Sequence, residues 1–244
     1  MESIPLADRL RLTVITDEAL ARPRSLSDVV REALAAGAPT IQLRIKDATA
    51  RQLLEAAQTL LPIVRSAGAL FIVNDRLDVA LAVGADGVHL GPDDPPITDA
   101  RAVADGARAE DADTIEAATG ATTGATTGPA ASAAAEPFIL GYSVDTTSGA
   151  TRAEEGGADY LGVGAVYATS NKSDVGQVIG LEGLRRVVEA VSIPVVAIGG
   201  ITPQRAPAVA ETGACGSAAI GAVMGSVEPA EAVRALLLPF GGAL

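Results

Sequence analysis

One cysteine and one histidine, Cys215 and His89, occur in 244 residues, which excludes an intramolecular disulfide and any zinc site needing several sulfur or imidazole ligands. No stretch approaches about 20 uninterrupted apolar residues, so a membrane span is not expected. The opening Met-Glu-Ser-Ile-Pro lacks a basic segment followed by an apolar core, so export is not expected either. A cytoplasmic location is expected. Positive charge is scarce: 18 Lys and Arg face 30 Asp and Glu, for a formal net charge of -12. Nonspecific binding to nucleic acid is therefore disfavoured, and any anionic ligand must be captured by a locally basic pocket. The acidic, alanine-rich, lysine-poor composition also suits a high-salt cytoplasm, which a series of activity measurements against salt would test.

What is present suffices for one large domain: 48% of the residues are hydrophobic, and a single (β/α)8 barrel commonly occupies about this length. Short apolar runs alternate with longer helical patterns throughout. Eight strands are predicted, at Leu12–Thr16, Thr40–Arg44, Phe71–Asn74, Gly87–Leu90, Ile139–Ser143, Tyr160–Val163, Val195–Ile198 and Ser217–Ile220. Eight βα units in one α/β chain imply a closed TIM barrel spanning 1–244. Helix signals lie between the strands: Ser27-Asp28 before a pattern that stops at Gly37, helix formers over Ala50–Ala67, and patterns over Leu181–Val191 and Pro203–Thr212 with Gly213 beyond. Residues 108–136 differ, repeating Ala, Thr and Gly with almost no large apolar side chain. Such a segment cannot offset its ordering entropy and is read as a flexible insertion after the fourth strand, helical at most at its start.

Function is most legible at Gln42-Leu43-Arg44-Ile45-Lys46, where two cations and an amide alternate with apolar residues. On an extended strand Gln42, Arg44 and Lys46 share one face, and Ile41, Leu43 and Ile45 the other. Burying that polar face requires acidic side chains or an anionic ligand, and a phosphorylated substrate is expected.

In a parallel barrel the active site forms where strands end and loops begin. Several polar residues fall there. Asn74 and Asp75 end the third strand, and Gly91-Pro92-Asp93-Asp94 follows the fourth, so Asp75 and Asp94 would reach one rim in a manner suited to Mg2+. Capping a helix and closing a proline turn are their purely structural alternatives. Ser143 ends the fifth strand. Thr169-Ser170-Asn171-Lys172 supplies hydroxyl, amide and ammonium donors after the sixth, suited to phosphate oxygens. Gly199-Gly200 and Ile220-Gly221 follow the last two strands, where backbone N–H groups recurrently hold phosphate in this architecture. His89 is read as filling the barrel interior, and Cys215 as a small residue near the last strand.

These motifs, with Val73-Asn74-Asp75, Gly87-Val88-His89-Leu90-Gly91, Gly141-Tyr142-Ser143 and Ile198-Gly199-Gly200-Ile201-Thr202, resemble the thiamine-phosphate synthase family in order and spacing. The resemblance covers nearly all of the chain outside 108–136. It implies condensation of a hydroxymethylpyrimidine diphosphate with a thiazole phosphate, releasing pyrophosphate, with Mg2+ as cofactor and two small molecules, neither nucleic acid nor membrane, as partners. A homo-oligomer is compatible with it. Carried onto matching positions, Gln42, Arg44, Lys46, Asn74, Ser143 and Lys172 would hold the pyrimidine diphosphate, within a substrate-binding stretch that includes Leu43 and Ile45. Asp75 and Asp94 would bind Mg2+. Thr169, Ser170, Asn171, Gly200, Ile220 and Gly221 would receive the thiazole phosphate, and Arg44, Lys46, Lys172 and Ser143 would act in catalysis.

The sequence departs from the family pattern at Ile45, where an acid is usual, Pro92 for a glutamine, Asp145 for a histidine and Gly221 for a serine. Two rival functions remain in view. A thiazole tautomerase of the same superfamily would need a general acid or base, which Asp145 in place of histidine weakens. A noncatalytic phosphate sensor would not need the Asp75/Asp94 pair.

Overall fold

The computed structural model describes residues 4–119, 137–169 and 178–241. Eight parallel strands, β1 (Leu12–Ile15), β2 (Thr40–Leu43), β3 (Leu70–Asn74), β4 (Gly87–Leu90), β5 (Ile139–Val144), β6 (Tyr160–Val163), β7 (Val195–Ile198) and β8 (Gly216–Ala219), close in sequence order into a barrel. The predicted architecture is thus observed, with no strand end displaced by more than one residue. β1 pairs with β8 through Leu12 and Ser217, Thr13 and Ala218, and Val14 and Ala219, leaving no free sheet edge.

Alternation along each strand sorts the side chains into two cores. Leu12, Val14, Ile41, Leu43, Val88, Leu90, Leu161 and Val163 belong to the larger apolar layer shared with the surrounding helices. Ile15, Tyr160, Val196 and Ala218 form a smaller cluster inside the barrel. Ile139 and Ile198 pack against it, while other inward positions, among them Gln42, Asn74, His89, Gly141, Ser143 and Gly162, are polar or glycine and leave room along the axis for a ligand.

One device returns the chain from helix to strand several times. Gly37, Gly68, Gly84 and Gly157 all have positive φ, and each is followed by a buried alanine whose N–H reaches back five residues: Ala38 to Ala33, Ala69 to Val64, Ala85 to Ala80 and Ala158 to Ala153. This is a left-handed glycine termination with its long-range bond, and the alanine is small enough to fit beneath the helix end. Acidic residues then secure strand starts. Asp86 accepts the Phe71 N–H at 2.7 Å, and Asp159 accepts the Leu140 N–H at 2.7 Å while pairing with Arg101 at 2.5 Å.

Helix boundaries follow local chemistry. The first long helix runs Leu26–Ala35 with Ser25, not Ser27, as its cap, and Ala50–Ser66 begins with a Thr49/Gln52 capping box. Gly180–Ala190 lies one residue before its predicted range. The predicted Pro203–Thr212 helix is shorter, Ala206–Ala210, because residues 203–205 form a turn closed by Arg205 N–H on Thr202 O. After β4 a helix spans Ile97–Thr119, so the start of the predicted insertion is helical; residues 120–136 lie outside the described residues.

Candidate active site

A cavity of about 600 Å³ opens at the carboxyl ends of β5 to β8, lined among others by Ser143, Asp145, Thr169, Gly200, Ile220 and Gly221. A smaller one of about 30 Å³ continues down the axis, lined by Thr13, Gln42, Arg44, Asn74, His89 and Tyr160. Ser143, Gly162, Ile198, Ala218 and Ile220 border both. The predicted binding residues from the second, third, fifth, sixth, seventh and eighth units thus meet around one continuous space.

β2 brings Gln42 into the interior, where it is buried, and Arg44 follows it half-buried. The backbone of Arg44 is clamped by Thr16, whose hydroxyl accepts from the Arg44 N–H and donates to the Arg44 carbonyl, both at 2.8 Å. Arg44 makes no ion pair with a described carboxylate. A cation withdrawn from water without a counter-charge is costly, so its position at the cavity is suited to an anionic ligand. Lys46 is exposed at the rim. Leu43 and Ile45, counted with this stretch, do not bring side chains to it: Leu43 is buried in the outer core and Ile45 packs against that core, as alternation dictates. Any contact they make with substrate is through the backbone.

Asp75 and Asp94 come from adjacent units at the same rim as Arg44. Asp75 has φ of 64°, and its N–H donates to His89 O at 2.8 Å, stitching it to the end of β4. The Asp94 carboxylate closes its own loop by accepting the Gly91 N–H at 2.7 Å through Oδ2, while Oδ1 makes no bond with a described residue. Both the structural role and an oxygen for a cation are therefore present.

The far rim is built differently. Gly199 and Gly200 have φ of 99° and 63°; a Cβ on Gly199 would lie 2.7 Å from Ala165 Cα, and one on Gly200 2.8 Å from Ala168 O. Only glycine lets the loops after β6 and β7 approach so closely. Arg205 secures them, donating to Gly200 O at 2.7 Å with its guanidinium 4.5 Å from the Tyr167 ring centre. Ser170, Asn171 and Lys172 lie outside the described residues.

His89 does fill the barrel interior, but it is also part of a polar chain. Its Nδ1 lies 2.9 Å from the Tyr160 hydroxyl and its Nε2 2.9 Å from Ser143 Oγ. Burial pushes the Tyr160 phenol well above its ordinary value, so the phenol stays protonated. Thr16 and Tyr160 were not among the candidates from sequence; the available signal was a polar residue at an inward position of a strand or at its end. Cys215 is half-buried, and burial pushes its thiol up to about 12, in keeping with the packing role read for it.

Comparison with known proteins bears on the same residues. The thiamine monophosphate synthase family model matches residues 12–109 and 116–223. Thiamine-phosphate synthases from Moorella thermoacetica and Pyrococcus furiosus are 44% and 45% identical over 225 and 231 residues, covering 92% and 95% of this chain and 93% and 95% of theirs. The solved thiamine phosphate pyrophosphorylase from Pyrococcus furiosus superposes with a TM-score of 0.78 at 42% identity, covering 98% of this chain and all of that one. By contrast, a 3-hexulose-6-phosphate synthase from Salmonella typhimurium, at 14% identity and TM-score 0.65, shares the fold alone. With similarity extending over the barrel and the loops that line its mouth, the chain belongs to the thiamine-phosphate synthase family.

Proposed function

We propose that this protein, as one cytoplasmic catalytic unit, joins a hydroxymethylpyrimidine diphosphate to a thiazole phosphate, giving thiamine phosphate and pyrophosphate. The observation that carries the site assignment is Arg44, a half-buried cation facing the axial cavity without a described carboxylate partner. A diphosphate supplies the missing counter-charge.

Gln42, Arg44, Lys46, Asn74, Ser143 and Lys172 hold the pyrimidine diphosphate. Thr169, Ser170, Asn171, Gly200, Ile220 and Gly221 receive the thiazole phosphate, Gly221 through its backbone N–H. Departure of the diphosphate from the pyrimidinylmethyl carbon leaves a cation that the electron-rich ring delocalises. The residues therefore act mainly on the leaving anion and on the exclusion of water. The thiazole nitrogen already carries a nucleophilic lone pair, so no activated serine or cysteine is needed, and anchoring its phosphate supplies orientation.

The donor set at the rim fits Mg2+. Among the described residues no group of three or more His, Cys, Asp or Glu is placed to hold a metal, so Asp75 and Asp94 would offer only two carboxylates. Mg2+ commonly takes one or two carboxylates and completes its octahedron with water and phosphate oxygens. When bound there, it would neutralise charge building on the departing diphosphate.

The test is to incubate purified protein with both phosphorylated substrates, with and without Mg2+, and to follow thiamine phosphate and pyrophosphate. Coupled, Mg2+-dependent formation of both products is expected. Thiazole isomerisation without coupling, or binding without turnover, would overturn the reading.

A further inference from the structure

The two connected cavities divide the cations between them. Among the described residues Arg44 is the only arginine or lysine lining the axial cavity, and Arg152 the only one lining the larger. Arg205 stands nearby but is committed, donating to Gly200 O and covering the Tyr167 ring. Arg152 comes from the helix Thr147–Glu155, which opens after β5 with the Thr146 hydroxyl accepting the Gly149 N–H at 3.2 Å. Gly149, Arg152 and Ala153 border the cavity and are three and four residues apart, so one stripe of this helix faces it. Arg152 is the one long side chain on that stripe.

Its charge is not quenched. Arg152 and Asp145, both on the cavity wall and both exposed, form no ion pair with each other or with any described residue. Glu154 is engaged elsewhere, accepting the Ser192 N–H at 2.8 Å. On an ordinary solvated helix face such an arginine would need no explanation, but this one borders the space that Thr169, Gly200 and Gly221 also line. Those three offer a phosphate neutral donors only. Donors at contact distance hold a dianion in place, but they do not draw it into a molecule with a formal net charge of -12.

We propose that Arg152 is a capture residue for the thiazole phosphate, supplying the counter-charge that draws the dianion into the larger cavity, with Asp145 opposing it. This rests on the proposed pair of substrates. A space of about 600 Å³ is roughly 10 Å across, so a guanidinium on its wall stands within about one Debye length of a phosphate inside it at ordinary ionic strength. At that range a unit charge changes the affinity for a dianion by about three- to tenfold. The two cations thus serve different anions: Arg44 faces the diphosphate and Arg152 the monophosphate. No bond forms or breaks at Arg152, whose effect is on binding alone.

Calorimetric titration of the thiazole phosphate into the wild type, Arg152→Gln, Arg152→Lys and Asp145→Asn tests this. Arg152→Gln should weaken binding about three- to tenfold at low ionic strength, and Arg152→Lys, which keeps the charge, should stay near the wild type. Asp145→Asn should tighten binding. In about 1 M salt, where the screening length falls to about 3 Å, the wild-type and Arg152→Gln values should converge. Arg152 is exposed, so its variants should melt with the wild type, and the KM for the pyrimidine diphosphate should stay unchanged in Arg152→Gln. Equal binding by the wild type and Arg152→Gln at low salt, weaker binding by Asp145→Asn, or an equal rise in KM for both substrates would overturn the role of Arg152 while leaving the substrates as proposed. No binding of the thiazole phosphate to the wild type would overturn the substrates as well.

Discussion

The two halves of the barrel mouth use different chemistry. After β2, β3 and β4 stand Arg44, Asp75 and Asp94, while after β5 to β8 the described lining is mainly hydroxyl, glycine and apolar, with Ser143, Thr169, Gly200 and Ile220 prominent and its two charged residues, Asp145 and Arg152, both following β5. Backbone strain is divided in the same way. In the charged half two residues other than glycine, Asp47 and Asp75, take positive φ, whereas in the other half that conformation falls to Gly199 and Gly200. A carboxylate kept at positive φ where glycine would be easier marks a site at which the side chain is needed. The contrast matches the two proposed substrates: breaking a bond to diphosphate develops charge that must be opposed, while holding an intact phosphate in place needs only donors.

That division breaks first, if it is wrong, at Asp75. Asp75→Asn tolerates positive φ and removes the charge, so kcat should fall about 10²- to 10³-fold with thermal stability nearly unchanged. Steady-state pyrophosphate release and a melting curve check both, and near-normal turnover would remove Asp75 from the site. The next effect is chemical. Lys46 and Lys172 are the only two lysines among 16 arginines, so amine-selective acylation can strike only these and the N-terminus. It should abolish most activity, and pyrophosphate with Mg2+ should protect; peptide mapping identifies the modified amine.

Gly200→Ala probes the glycine-rich half. Its added Cβ meets Ala168 O at 2.8 Å in a left-handed backbone, so a stability loss of about 1–3 kcal/mol is expected with a raised KM for the thiazole phosphate. A matching rise in KM for the pyrimidine diphosphate would erase the distinction between the halves. The smallest effect should come from Thr16→Val, which leaves the Arg44 N–H and carbonyl without the clamp. A fall in kcat/KM of about tenfold and a stability loss of about 1–3 kcal/mol are expected, read by kinetics and denaturant unfolding.

Much of this was legible in the chain because the barrel repeats a local pattern. Apolar runs mark the strands, and glycines such as Gly37 and Gly213 mark the ends of helices. Boundaries were less legible where two signals competed: Ser25 and Ser27 both suit a cap, and Pro203 suits a first turn even though the helix begins only at Ala206. The site residues that sequence did not reveal, Thr16 and Tyr160, are ordinary in isolation. Their importance lies in partners 28 and 71 residues distant, Arg44 for Thr16 and His89 for Tyr160.

Periodicity and strand-end position by themselves determined the eightfold α/β architecture, the inward direction of Gln42 and the outward direction of Leu43, because a strand's alternation is a property of its own backbone. Pairing between neighbouring strands decided the rest. The register of β1 with β2 brought Arg44 under the Thr16 hydroxyl, and that of β4, β5 and β6 aligned His89 with Ser143 and Tyr160, since hydrogen bonds of this length depend on the register between strands, which no single segment encodes.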